Sequence, residues 1–180
     1  MWKHAASILF CFIFILPPAW AQENGIPLIR AKVNAINSQL TAYQIKNKEV
    51  EGLSVEGGKL KFFYDRKELK KIHAVMYGEM GYSTEDAYFD RNQLIFIYSV
   101  TNHYDKPSGI VARREENRYY FRNGKMLLWI NPARQHITNS TPAFREEENQ
   151  LLRLIDQYIE ISHTTFRCVD VSNNTIAACS

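Results

Sequence analysis

Cysteine is almost absent from this chain. Of the three present in 180 residues, Cys11 sits in an apolar N-terminal run, and Cys168 and Cys179 have no zinc-type spacing and no histidine at ligand distance in sequence. Metal and thiol chemistry therefore drop out of the reading. Beyond the N-terminal run the histidines His73, His103, His136 and His163 are scattered, with no HExxH or other ligand spacing. There is no GxSxG elbow, no phosphate-cradling glycine loop and no dinucleotide fingerprint. The Gly57-Gly58 pair reads as a turn, and Asp65 and Asp90, the carboxylates that could act as an acid/base pair, fall at turn tips. These absences lead to the expectation of a protein that is not an enzyme and carries no cofactor.

A strong excess of one charge is also missing: 22 Lys and Arg stand against 19 Asp and Glu. A surface for phosphate backbones needs a larger basic excess, so no nucleic-acid partner is expected. Past residue 16 there is no apolar run near the roughly 20 residues of a membrane span, so no integral membrane segment is expected in the mature chain.

What is there begins with a leader. Lys3 supplies a positive start, "AASILFCFIFIL" a short apolar core, Pro17-Pro18 a break, and Ala19-Trp20-Ala21 the small residues of a signal-peptidase site. Residues 1–21 read as a cleavable signal peptide, and the mature chain begins at Gln22. The residue directly after that site is Gln22 and not a cysteine, which argues against a lipoprotein. The product is exported, periplasmic in a Gram-negative cell and secreted otherwise. In that setting Cys168 and Cys179 are a disulfide candidate, closing a C-terminal loop for at most ~3 kcal/mol of chain entropy.

Residues 22–162 read as one α+β domain, and 163–180 as a tail that loses periodicity. Ile29, Val33, Ile36, Leu40 and Tyr43 fall on one helical stripe, with Pro27 in the first turn, so a helix is expected over 27–43. The polar "QIKNKEVEG" leaves it. After "VEGG" come short runs of β-formers, giving about six strands: 59–64, 69–77, 84–89, 93–100, 118–121 and 125–130. "LIFIYSV" and "KMLLWI" are apolar at successive positions, as in strands covered on both faces or strands of a strongly curled sheet. "HYDKPSGIVARREEN" reads as the longest loop, with a frayed strand in "GIVAR", and "NPARQHITNSTP" as an irregular connection. In "AFREEENQLLRLIDQYIEI", Phe144, Leu151, Leu154, Ile155 and Tyr158 form a second helical stripe, and Glu146, Glu147 and Glu148 lie in the early turns that the helix dipole favours. The expected architecture is an N-terminal helix, a roughly six-stranded antiparallel meander and a C-terminal helix.

Three phrases in the meander align. "FYDRKELKKI", "YFDRNQLIFI" and "YFRNGKMLLW" each place an aromatic pair before a tight turn and Leu or Met after it. Asn123-Gly124 suits a two-residue turn with positive φ at both central positions, Asp65 and Asp90 suit turns bonded to their own backbone, and Arg66, Arg91 and Lys125 keep the tips soluble. The spacing between the phrases is uneven, so one hairpin rule is applied three times. These units resemble the aromatic-rich hairpins of small exported bacterial proteins of unknown function and, more distantly, MORN-type repeats. The resemblance covers residues 57–130 and implies an antiparallel sheet with a binding or scaffold role.

Ten Tyr and ten Phe, several adjacent, cannot all face one core when strand neighbours point opposite ways. Exposed tyrosines make good contact residues, and Tyr88, Tyr98, Tyr104 and Tyr120 are the candidates. The expected role is a non-enzymatic binding or interaction protein working through the sheet surface toward a protein partner, as an inhibitor, an immunity-like protein or an envelope accessory protein. The alternative is a small-ligand carrier or enzyme with a cavity between a curled sheet and a helix. The leader reading has a direct check: the exported protein should have the mass of a chain starting at Gln22, and a full-length membrane-embedded product would contradict it.

Overall fold

The three aligned phrases are three hairpins of one construction, set within a longer meander. The computed structural model describes residues 25–164, 167–170 and 175–178. It opens with α1 (Ile26–Ser38) and a single 3-10 turn (Leu40–Ala42). Eight strands follow: β1 (Gln44–Val50), β2 (Gly58–Asp65), β3 (Glu68–Gly78), β4 (Gly81–Asp90), β5 (Gln93–Tyr104), β6 (Val111–Arg122), β7 (Lys125–Ile130) and β8 (His136–Ile137). The helix α2 (Pro142–His163) comes next, then a separate two-stranded sheet of β9 (Arg167–Asp170) and β10 (Thr175–Ala178). The large sheet is antiparallel throughout, in the order β1 to β8. The expected leader and the pairing of Cys168 with Cys179 lie outside the described residues.

Eight strands replace the expected six, and the differences have physical causes. "QIKNKEV" is β1, an edge strand whose residues are mostly exposed, so it carries no apolar alternation to betray it. β8 is only two residues long. "VARREEN" belongs to β6, on the part of the sheet that no helix covers, and the loop there shrinks to residues 105–110. Charged side chains suit this half of the strand because it pairs with β5 alone, β7 ending opposite Arg118, and its side chains reach water. The tail likewise contains the short strands β9 and β10.

Turn chemistry explains the hairpins. Asn123 (φ 53°) and Gly124 (φ 73°) both take positive φ, as do Arg91 (φ 50°) and Asn92 (φ 60°), the type I′ pattern that matches strand twist. In the first hairpin only Arg66 does so (φ 57°). Each hairpin then skips one residue on its outgoing strand. Tyr64 faces Leu69 but Phe63 faces Lys71, Phe89 faces Leu94 but Tyr88 faces Phe96, and Phe121 faces Met126 but Tyr120 faces Leu128. Lys70, Ile95 and Leu127 are the bulged residues.

The aromatic pairs are thereby split between faces. On the first face Tyr88, Phe96 and Tyr120 form a cross-strand row, with ring centroids 5.8 and 4.9 Å apart, under Ile26, Ile29 and Ile36 of α1. On the second face Phe62, Ile72, Phe89, Ile97, Tyr119 and Phe121 pack beneath Phe144, Leu151, Ile155 and Tyr158 of α2. Both helical stripes fall where expected, although α1 stops at Ser38, short of Leu40 and Tyr43. The Thr141 hydroxyl caps α2 by accepting from the Phe144 N–H at 3.2 Å. The glutamates do not occupy its first turn; Glu146 is exposed and accepts from Gln150, while Glu147 and Glu148 reach the sheet. Glu148 is buried and accepts the Met126 backbone N–H at 2.8 Å, and Glu147 accepts the Tyr119 hydroxyl at 2.6 Å.

Gly124 has open space around a would-be Cβ, so a side chain there would cost backbone strain alone. Gly81 (φ 153°) is tighter: a Cβ would lie 2.0 Å from the Asn102 carbonyl oxygen on the paired strand. Gly124→Val should destabilise by about 1–2 kcal/mol, and Gly81→Ala by more. Denaturant melts that left Gly124→Val at wild-type stability would contradict this turn.

Candidate binding face

α1 covers one end of the first face and leaves the other end open. It is pinned at the turn end by the Lys32–Asp90 ion pair, by Tyr88 donating to Asn37 Oδ1 at 3.1 Å, and by Arg30 Nε donating to the Tyr120 hydroxyl at 3.2 Å. Tyr88 and Tyr120 are consequently 4% and 2% exposed. They are core residues, and the expectation that they present an exposed contact surface is corrected. Tyr98 and Tyr104 lie on the uncovered end, both half-buried.

The first row beyond α1 is polar. Asn47, Lys61, His73, Asp86, Tyr98 and Arg118 are successive cross-strand neighbours on five adjacent pairings, all on one face. Asp86 is its hinge: Oδ1 lies 2.8 Å from His73 Nδ1 and 3.0 Å from Lys71 Nζ. Lys71 is buried, and its ammonium also sits 4.9 Å from the Tyr88 ring centre, so carboxylate and ring together replace the water it loses. Burial alone would raise the Asp86 carboxyl, but the His73 hydrogen bond and the Lys71 charge outweigh it and hold that carboxyl below its ordinary range. His73 is thereby oriented by a carboxylate on one ring nitrogen, leaving Nε2 for whatever occupies the face.

The other end of the row is an aromatic and guanidinium array. Arg118 stacks 5.1 Å over the Tyr98 ring, and Arg114 donates to the Tyr98 hydroxyl at 3.2 Å. Glu116 ties both arginines, 3.2 Å from Arg114 Nε and 2.9 Å from Arg118 Nη2. The Tyr98 hydroxyl, and then Arg118, hold the Glu116 carboxyl below its usual range. Tyr82 and Tyr104 add a tilted ring pair, 6.2 Å apart, beyond this array, and Tyr77 is exposed at its margin. Preformed Tyr and Arg contacts held by neighbours lose little side-chain entropy on association, which suits them to recognition.

Concavities on the described surface are open and bear charge. One of about 450 Å³ lies over β1, β2 and β3 and is lined by Asn47, Lys59, Lys61 and His73 among others. One of about 230 Å³ lies between α1 and the sheet, lined by Arg30, Arg118 and Tyr120, and one of about 520 Å³ flanks Glu49, Glu51 and Ile161. None is a deep apolar pocket. Among the described residues no group of three His, Cys, Asp or Glu side chains converges as metal ligands, and no helix is long and apolar enough to cross a membrane. Asp65 and Asp90 are on separate turn tips; Asp90 serves α1, and the tips are linked by Asn92 Oδ1 accepting from the Leu69 N–H at 3.0 Å.

Sequence reasoning passed over His73, Asp86 and Lys61. Each is an ordinary strand residue in sequence, and only the pairing register aligns them. Their spacing carries no signal without it.

A second polar cluster lies under α2. Tyr158 donates to Glu85 Oε2 at 2.8 Å, and Tyr119 donates to Glu147 nearby. Burial pushes the Glu85 carboxyl up, the Tyr158 hydrogen bond opposes this, and the Glu147 charge adds to the rise. Both tyrosine hydroxyls are pushed far up by burial and by the adjoining carboxylates. The cluster is closed by α2 and serves to dock it.

Comparison with family models, with curated proteins and with solved structures finds no match for this chain.

The Glu85 environment fixes a pH dependence. A carboxyl raised in the folded state stabilises the fold below its unfolded value and loses that contribution as pH climbs through the folded one. Glu85→Gln, which keeps an acceptor for Tyr158, should therefore gain stability relative to wild type as pH rises through the interval above the ordinary carboxylate range. Paired denaturant melts across that interval measure the difference, and a difference independent of pH would contradict the assignment.

Proposed function

We propose that this is an exported, non-enzymatic binding protein that docks a partner protein on the uncovered end of the first sheet face. One observation carries the reading: β4, β5 and β6 run on past α1, and the strip left bare is an ordered array of Tyr98, Arg114, Arg118 and Glu116 flanked by Tyr82 and Tyr104. Tyrosine and arginine are the residues most enriched among energetic anchors of protein interfaces. A binding or scaffold role is also what the likeness to exported hairpin proteins implies. An inhibitor, immunity-like or envelope accessory protein would use the face in the same way, by covering a partner's surface. A ligand carrier calls for an enclosed apolar cavity, whereas the concavities over this face are open and edged by Lys, Arg and Glu.

Site-specific photo-crosslinking tests the assignment. A crosslinker placed at Tyr98 should capture a discrete partner from envelope extract, and one at Arg153, exposed on the outer side of α2, should not. With the captured partner in hand, Arg118→Ala should weaken association by about 1–3 kcal/mol with unchanged melting. Capture from Arg153 alone, or binding unaffected by changes at both Tyr98 and Arg118, would overturn the proposal.

A further inference from the structure

The basic end of the polar row has a feature that partner docking through Tyr98 does not use. The concavity of about 450 Å³ over β1, β2 and β3 is lined by two lysines of the first face, Lys59 and Lys61, against one carboxylate, Glu49; Lys48 borders it too but pairs with Leu60 in the register and belongs to the opposite face. Lys48 is engaged with the Thr164 carbonyl at 2.9 Å, and Lys59 meets Glu49 only at 3.7 Å, with both side chains largely in water. Such an exposed pair is worth little and yields readily to a competing anion. Lys61 is exposed and makes no ion pair among the described residues. It sits directly between Asn47 and His73 across the pairings of β1, β2 and β3. His73 is the fixed element, because Asp86 holds Nδ1 at 2.8 Å and Lys71 holds Asp86, which directs the imidazole and leaves Nε2 toward the concavity it lines.

We propose that this concavity is a binding site for an anionic oxygen group, a carboxylate or a phosphate, received by the Lys59 and Lys61 ammonium groups, the Asn47 amide and Nε2 of His73. Two flexible ammonium groups supply charge, while the amide and the oriented imidazole supply direction. The carboxylates facing the site, Glu49 and Asp86, do not cancel it. Glu49 pairs loosely with Lys59, and Asp86 is already balanced by buried Lys71. The proposal goes beyond the docking reading and stands at the opposite end of the row from Tyr98.

The test follows His73 ring resonances and Lys59 and Lys61 side-chain resonances by NMR at fixed pH, with inorganic phosphate and, separately, a triglutamate peptide as probes. Saturable shifts at His73 and Lys61 are expected with at least one probe, and which one gives them identifies the source of the anion. Lys61→Met should weaken that binding about tenfold, the effect of losing one charge-assisted hydrogen bond. Since Lys61 is exposed, the variant should melt as wild type does. Absence of saturable shifts with both probes, or shifts unchanged in Lys61→Met, would overturn the site. Crosslinking from Tyr98 does not depend on that outcome, so failure here and failure of the docking reading are distinguishable.

Discussion

Each hairpin skips one residue on its outgoing strand, at Lys70, Ile95 and Leu127, immediately after a tight turn with an aromatic pair on the incoming side. Strand alternation already sends adjacent aromatics to opposite faces; the bulge sets which residues they meet on the next strand. Tyr88 meets Phe96 on one face while Phe89 meets Leu94 on the other, and Tyr120 and Phe121 repeat this with Leu128 and Met126. A sheet built so has two apolar faces and needs two covers. With 22 residues, α2 is about 33 Å long, enough to cross a sheet whose seven strand spacings span roughly 33 Å. With 13 residues, α1 is about 20 Å long and cannot do the same. The open end of the first face lies further along β4, β5 and β6, past the row that α1 covers.

Composition along the strands agrees with this geometry. Where α1 lies, the face carries Tyr88, Phe96 and Tyr120; where it does not, the same strands carry Asp86, Tyr98 and Arg118 two positions on. Lys71 marks the boundary, buried yet held by Asp86 and the Tyr88 ring. Removing Asp86 would strand that charge, at a cost of about 3–5 kcal/mol, so Asp86 supports the fold as well as orienting His73. Beneath α2 the polar contacts play a different part. Glu147, Glu148 and Glu85 bind tyrosine hydroxyls and a backbone N–H, giving the helix a fixed register on the sheet.

Much of this architecture was legible in the residues. The two helical stripes, the six inner strands and the Asn123-Gly124 turn follow from periodicity and turn chemistry, and the two-sided apolarity of "LIFIYSV" and "KMLLWI" announced strands covered on both faces. What escaped was whatever depends on partners distant in sequence. β1 is polar on both sides because it is an edge, and β6 looked like a loop because its first half is charged. Tyr88 and Tyr98 are indistinguishable by type; one is under a helix and the other is beyond its end. The row from Lys61 to Arg118 exists only once the register is known.

The division of the first face into a covered and an open end can be read by limited nitration of the folded protein, with the modified tyrosines located by peptide mass mapping. Tyr77 and Tyr98 should be modified early, and Tyr88 and Tyr120, at 4% and 2% exposure, should stay protected until the protein unfolds. Nitration of Tyr88 and Tyr120 as fast as Tyr98 in the folded state would show that α1 does not cover them, and would contradict the account.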